Sequence, residues 1–128
     1  MSRVRAAIRT AERVLPGRAA KPGVPDKRWQ AIIAVSEFVS SDPDEVWNFV
    51  AKWGRHRSTD LQAAIATCLL EHLLEKHFRR IFPRAAALAR TNRSFARTFS
   101  MCWLSGQAKR PANAKAFLTV VREVRHAI

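Results

Sequence analysis

Residues 60–78 read DLQAAIATCLLEHLLEKHF, the most apolar stretch of the chain. Leu61, Ala64, Ile65, Cys68, Leu69 and Leu73 recur at helical spacing on one broad face, and Leu70, Leu74 and Phe78 widen it. A helix that is apolar around so much of its circumference belongs at the centre of a helical fold. Ser58-Thr59-Asp60 supplies its start, with Asp60 as a cap. Pro83 then breaks or kinks the pattern, or opens a short new helix over PRAAALAR.

Working outward from this segment, the same periodicity continues on both sides. Towards the N-terminus, Asp42, Pro43 and Glu45 suit the N-cap, N1 and N3 positions of a helix and predict a capping box. That helix carries Val46, Phe49, Val50 and Trp53 at i, i+3, i+4 and i+7, and Gly54 stops it. Asp26 can cap a helix with Trp29, Ile32, Ile33 and Val39 on its apolar side. Residues 2–15 form a further amphipathic helix, with Val4, Ile8, Ala11 and Leu15 on one face and Arg5, Arg9 and Arg13 on the other. The Pro/Gly-rich segment LPGRAAKPGVP follows it as a linker. Towards the C-terminus, Asn92 or Ser94 can cap a helix that places Phe95, Phe99 and Cys102 on one face, with Ser105-Gly106 ending it. Pro111 opens the last helix, where Phe117, Val121, Val124 and Ile128 recur. No segment alternates as a strand does, and no Asn-Gly type hairpin turn occurs. The chain reads as all-α.

A length of 128 residues suits one core, and 48% hydrophobic residues exclude a disordered chain. Residues 1–25 are expected to form a basic N-terminal helix and linker, and residues 26–128 a single helical domain. No apolar run approaches the ~18–20 residues that span a bilayer, so no integral membrane association is expected. Two cysteines, Cys68 and Cys102, both in apolar helical patterns, point to a reducing compartment and a cytoplasmic location. The Arg-rich residues 1–20 leave organellar targeting open as the other destination.

The formal net charge is +13, distributed as +6 over residues 1–28, −4 over 29–75 and +11 over 76–128. Only Glu123 is acidic after Glu75. The basic residues of this last segment, Arg79, Arg80, Arg84, Arg90, Arg93, Arg97, Lys109 and Arg110, are the candidate partner- or phosphate-binding residues. On one continuous helix over residues 85–103, Arg90, Arg93 and Arg97 fall within about 60° of one another at ~100° per residue, opposite Leu88, Phe95 and Phe99. If Asn92 breaks that helix, only Arg93 and Arg97 are assured a common face.

The helices also resemble one another. WQAIIA at 29–34 and LQAAIA at 61–66 share four of six residues at an offset of 32. At an offset of 34, Leu61, Ile65, Cys68 and Leu69 align with Phe95, Phe99, Cys102 and Trp103. With Pro43, Pro83 and Pro111 each starting a following helix, the unit is a helix–turn–helix pair repeated about three times. From Trp47 to Leu74 a Trp-flanked helix, a short polar turn and an Asp-started Ala/Leu helix follow one another, and here the chain resembles the HEAT/armadillo-like superfamily over residues 26–127. Its repeats are shorter than usual for HEAT units, and Gln62 replaces the usual Arg after the Asp-containing turn. The resemblance implies a short right-handed stack of helical pairs with an extra N-terminal helix, acting as an interaction scaffold.

Catalytic patterns are missing. Cys68 and His72, one turn apart, offer two metal ligands where a structural zinc needs four, so no metal or cofactor is expected. The four glycines form no phosphate-cradling loop, and no GxSxG motif occurs. A helical DNA-repair enzyme would need a carboxylate and aromatic walls, for which Trp47, Trp53 and Asp60 are the candidates. The expected function is a non-catalytic macromolecule-binding module whose basic C-terminal half docks an acidic protein. Sequence-nonspecific nucleic-acid binding through the same arginines is the alternative, and the helical enzyme is a third.

Overall fold

The computed structural model describes residues 2–17 and 20–127. The regular elements among the described residues are all helices, without strands. The helices are α1 (Arg3–Val14), α2 (Lys27–Ser36), α3 (Pro43–Trp53), α4 (Thr59–Ile65), α5 (Glu71–Thr91), α6 (Arg93–Ser100) and α7 (Pro111–Ala127). A π turn (Ala66–Leu70) joins α4 to α5, and a 3-10 turn (Gly106–Lys109) precedes α7. Ile128, assigned above to the last apolar stripe, lies outside the described residues.

The apolar segment from Leu61 to Phe78 is the centre of the molecule. Leu61, Ile65, Leu69, Leu70, Leu73 and Leu74 are all excluded from solvent. Around this segment pack α2, α3 and α6, with α7 on α5 and α6, while α1 rests on α2 and α3. The N-terminal helix contributes Val4, Ala11 and Leu15 to this same core. Cys68 and Cys102 are half-buried at its margin, and burial raises both thiol pKa values, that of Cys102 strongly. No helix among the described residues is long and apolar enough to cross a membrane.

Local chemistry sets most helix starts. Asp26 accepts from the Arg28 N–H at 2.9 Å, and Asn92 accepts from the Phe95 N–H at 2.9 Å. Two starts differ from expectation. Asp42 occupies the N-cap of α3 but makes no capping bond, because its carboxylate accepts from the Ser41 hydroxyl at 2.7 Å. The cap before α4 is Ser58, not Asp60. Asp60 instead accepts from the Arg28 guanidinium at 2.8 Å and faces the Trp29 indole N–H at 3.4 Å.

Arg28 is therefore a buried cation between two carboxylates, Asp26 and Asp60, and ties the start of α2 to the start of α4. Hydrogen bonding to Arg28 holds the Asp26 carboxyl below its usual value. A depressed folded-state pKa gives stability that is present above the unfolded carboxylate pKa and lost as pH falls through the folded one. Arg28→Ala should destabilise the protein by about 2 kcal/mol at neutral pH, through the lost charge-assisted bonds. Thermal melts of the two proteins at pH 7 and pH 3 check this. The gap should narrow at pH 3, and a gap independent of pH would mean that packing, not the ion pairs, carries the effect.

Pro83 neither ends nor begins a helix. It sits inside α5, exposed, and the backbone break lies upstream at His77 (φ −137°, ψ 43°). So the proline-started helix expected there does not exist, whereas Pro43 and Pro111 do open α3 and α7. The break is stitched from two sides. Gln107 accepts from the Phe78 N–H at 3.0 Å through Oε1 and donates to the Lys76 carbonyl at 2.8 Å through Nε2. From the other side, His77 Nε2 donates to the Val39 carbonyl at 3.0 Å, and Lys76 donates to the Ser40 hydroxyl at 3.1 Å.

Asn92 does separate α5 from α6, so the single helix over residues 85–103 is replaced by two. Close approach fixes α6 against α3. The Thr98 hydroxyl donates to the Gly54 carbonyl at 2.6 Å, and a Cβ on Gly54 would lie 2.9 Å from the Phe95 ring. Trp47 meets that ring edge-on at 5.9 Å between centroids.

Candidate functional site

All eight candidate basic residues are exposed, but the structure divides them. Arg80 and Arg84 lie one turn apart on α5 and grip Asp44 at the start of α3. Arg80 donates to its two oxygens at 2.9 and 2.5 Å, and Arg84 donates at 3.1 Å. Hydrogen bonding to Arg80 chiefly holds the Asp44 carboxyl below its usual value. Arg90 reaches across to Glu123 on α7 at 2.9 Å, which lowers that carboxyl in the same way. Three of the eight thus meet acidic side chains of the chain itself.

Arg79, Arg93, Arg97, Lys109 and Arg110 form no ion pair among the described residues. Arg93 and Arg97 stand one turn apart on α6. Arg93 shares with Arg90, Asn92 and Val124 a shallow recess of about 140 Å³. Because α6 begins anew at Asn92, Arg90 belongs to a different helix from the other two.

Arg79 and Arg110 line one groove from different elements. They flank an open groove of about 460 Å³ between α5 and the start of α7. Phe78, Phe82, Pro83 and Ala116 give the groove an apolar lining, with the amides of Gln107 and Asn113 beside it. Both ends of Gln107 are engaged in the stitch at His77, and Asn113 Nδ2 donates to the Gln107 carbonyl at 2.9 Å. Fixed amides and an apolar lining leave the two guanidinium groups as the cations available to a ligand.

Sequence reasoning missed Phe82, Gln107 and Asn113, whose roles depend on contacts between distant parts of the chain. It also missed Arg122 and Arg125, which flank the exposed Leu118 on α7. Their signal was present, since Lys115, Leu118, Arg122 and Arg125 recur along one exposed stripe of the last helix.

The acidic middle of the chain is largely engaged internally. Asp44 holds Arg80 and Arg84, Asp60 holds Arg28, Glu75 faces His72 at 3.2 Å, and Glu71 accepts from the Trp103 N–H at 3.1 Å. The three side chains of the enzyme reading lie in separate settings. Trp47 is buried on Phe95, Trp53 lies between Phe49 and His56, and Asp60 is bound to Arg28. No protein-family model, curated protein or solved structure matches this chain.

Proposed function

We propose that this protein is a non-catalytic, HEAT-like helical module whose basic C-terminal half docks an acidic protein partner. The observation that carries this reading is the division of the arginines. The chain's own carboxylates engage Arg80, Arg84 and Arg90, while Arg79 and Arg110 flank an open, apolar-lined groove and form no ion pair among the described residues. An apolar floor between cations suits a protein surface that brings both a carboxylate and an apolar side chain. Supporting the stacked-pair architecture, WQAIIA falls in α2, and LQAAIA falls in α4 and the first residue of the π turn, which both pack against α2 in one core.

The test is binding of the full chain to an acidic protein probe, such as poly-glutamate, and to a short DNA duplex, as salt rises from ~50 to ~200 mM. The expected result is binding to the acidic polypeptide, weakened by salt and by charge reversal at Arg79 and Arg110. Binding to the duplex alone, with a steep fall in log affinity against log salt, would favour nucleic acid instead. No binding to either probe at ~50 mM salt would exclude both.

A further inference from the structure

We infer that the groove between Arg79 and Arg110 receives a carboxylate side chain from an acidic peptide segment that also presents an apolar residue. This rests on the acidic-partner reading above and names the place and chemistry of recognition.

The molecule contains its own template for the contact. On one face of α5, Arg80 and Arg84 clamp Asp44, which stands in the sequence Pro43-Asp44-Glu45 at a helix start. The arginines of this helix thus already bind a polypeptide carboxylate from another segment, through three guanidinium bonds. Arg79, adjacent in sequence, faces the groove, where Arg110 supplies the second fork. A guanidinium fork matches the planar geometry of a carboxylate.

The lining selects a peptide over a single-stranded nucleic acid. A nucleic acid would use an open aromatic face as a stacking platform. Here Phe82 is stacked on Phe78 at 4.7 Å with an interplanar angle of 11°, and Phe99 lies tilted 6.4 Å from it. One ring face of Phe82 is already covered by Phe78, which leaves at most one face of a partly buried ring for a base, whereas the apolar floor as a whole suits an apolar side chain. A volume of about 460 Å³ accommodates a few side chains. Its wall is also preorganised, because Gln107 and Asn113 are held by bonds to the backbone.

Fluorescence anisotropy of the full chain with a labelled twelve-residue Glu/Asp/Leu peptide tests the inference, with oligo-dT run in parallel. Reversing both groove cations, Arg79→Glu with Arg110→Glu, should weaken peptide binding by about tenfold or more. The charge-matched pair Arg93→Glu with Arg97→Glu on α6 should weaken it by no more than about threefold. Ala116→Phe, which narrows the groove and leaves every charge in place, should weaken it as the groove pair does, with the far-ultraviolet spectrum confirming the fold. Equal losses from the two charge pairs, with no effect of Ala116→Phe, would overturn the groove while leaving an acidic partner in place. Absence of peptide binding by the unaltered chain would overturn both. Tighter binding of oligo-dT, abolished by the groove pair, would assign the groove to nucleic acid.

Discussion

Truncating Phe99 to alanine should destabilise the protein by about 3–5 kcal/mol, the range for removing a fully buried phenylalanine. Phe99 is wholly excluded from solvent. Its ring stacks on Phe117 of α7 with centroids 4.4 Å apart and lies 6.4 Å from Phe82 of α5. One side chain on α6 thus joins three helices, and none of its neighbours can close the gap without moving a helix. A domain of this size has about 5–15 kcal/mol to lose. The melting temperature should therefore fall by roughly 10–20 °C. Urea unfolding followed by far-ultraviolet circular dichroism checks this, with a lower midpoint and an unchanged slope expected. Trp103 is the matched control, being 78% exposed. Its replacement by alanine should shift stability by less than about 0.5 kcal/mol. A loss below about 1 kcal/mol for Phe99→Ala would show that the aromatic row between α5, α6 and α7 is not part of the rigid core.

Features encoded within one turn of helix were legible in the sequence. The apolar stripe from Leu61 to Leu74, the caps at Asp26 and Asn92, and the openings at Pro43 and Pro111 depend on neighbours three or four residues away. Features decided by distant partners were not. Asp42 has the residue type and spacing of a cap, yet its carboxylate is bound to Ser41. Asp60 looks like a cap and serves Arg28, whose position opposite it is set by packing of α2 on α4. Pro83 gives the strongest local signal for a break, yet α5 breaks at His77, where Gln107 supplies the missing bonds from far along the chain.

The candidate site follows the same division. Its charge was plain from the near absence of acidic residues after Glu75. Which arginines are paired within the chain was not, because Asp44 and Glu123 reach Arg80, Arg84 and Arg90 across helix interfaces that no local pattern encodes. The charge segments of the sequence, −4 over residues 29–75 and +11 over 76–128, therefore do not stay apart in the fold. Several acidic residues of the middle segment act as internal latches, and Asp44 joins the acidic middle directly to the basic half. Charge segregation along the sequence becomes, in the fold, part of what holds α3 against α5.

Gly106→Ala should destabilise the protein by about 3 kcal/mol, through backbone strain and loss of the stitch at His77. Gly106 has φ +54°, in the left-handed region, where a Cβ costs roughly 1–2 kcal/mol. That Cβ would also lie 2.6 Å from Glu75 Cγ and 2.9 Å from the Glu75 carbonyl oxygen. The Glu75 side chain can rotate away, at the expense of its contact with His72. The carbonyl is backbone just before the break and cannot yield without moving α5. The 3-10 turn must therefore withdraw, and Gln107 withdraws with it. Gln107→Ala removes the same two bonds directly and should cost about 2 kcal/mol, because Phe78 N–H and the Lys76 carbonyl then lack their partner. The discriminating measurement is the double-mutant cycle. If Gly106 serves to seat Gln107, the double variant should lose little more than Gly106→Ala alone, a coupling of about 1–2 kcal/mol. Strict additivity would mean that Gly106 acts on α5 only through Glu75 and that the turn and the break are independent. Coupling would also tie stability to recognition, since the Gln107 that closes the helix break forms part of the groove beside Arg79 and Arg110.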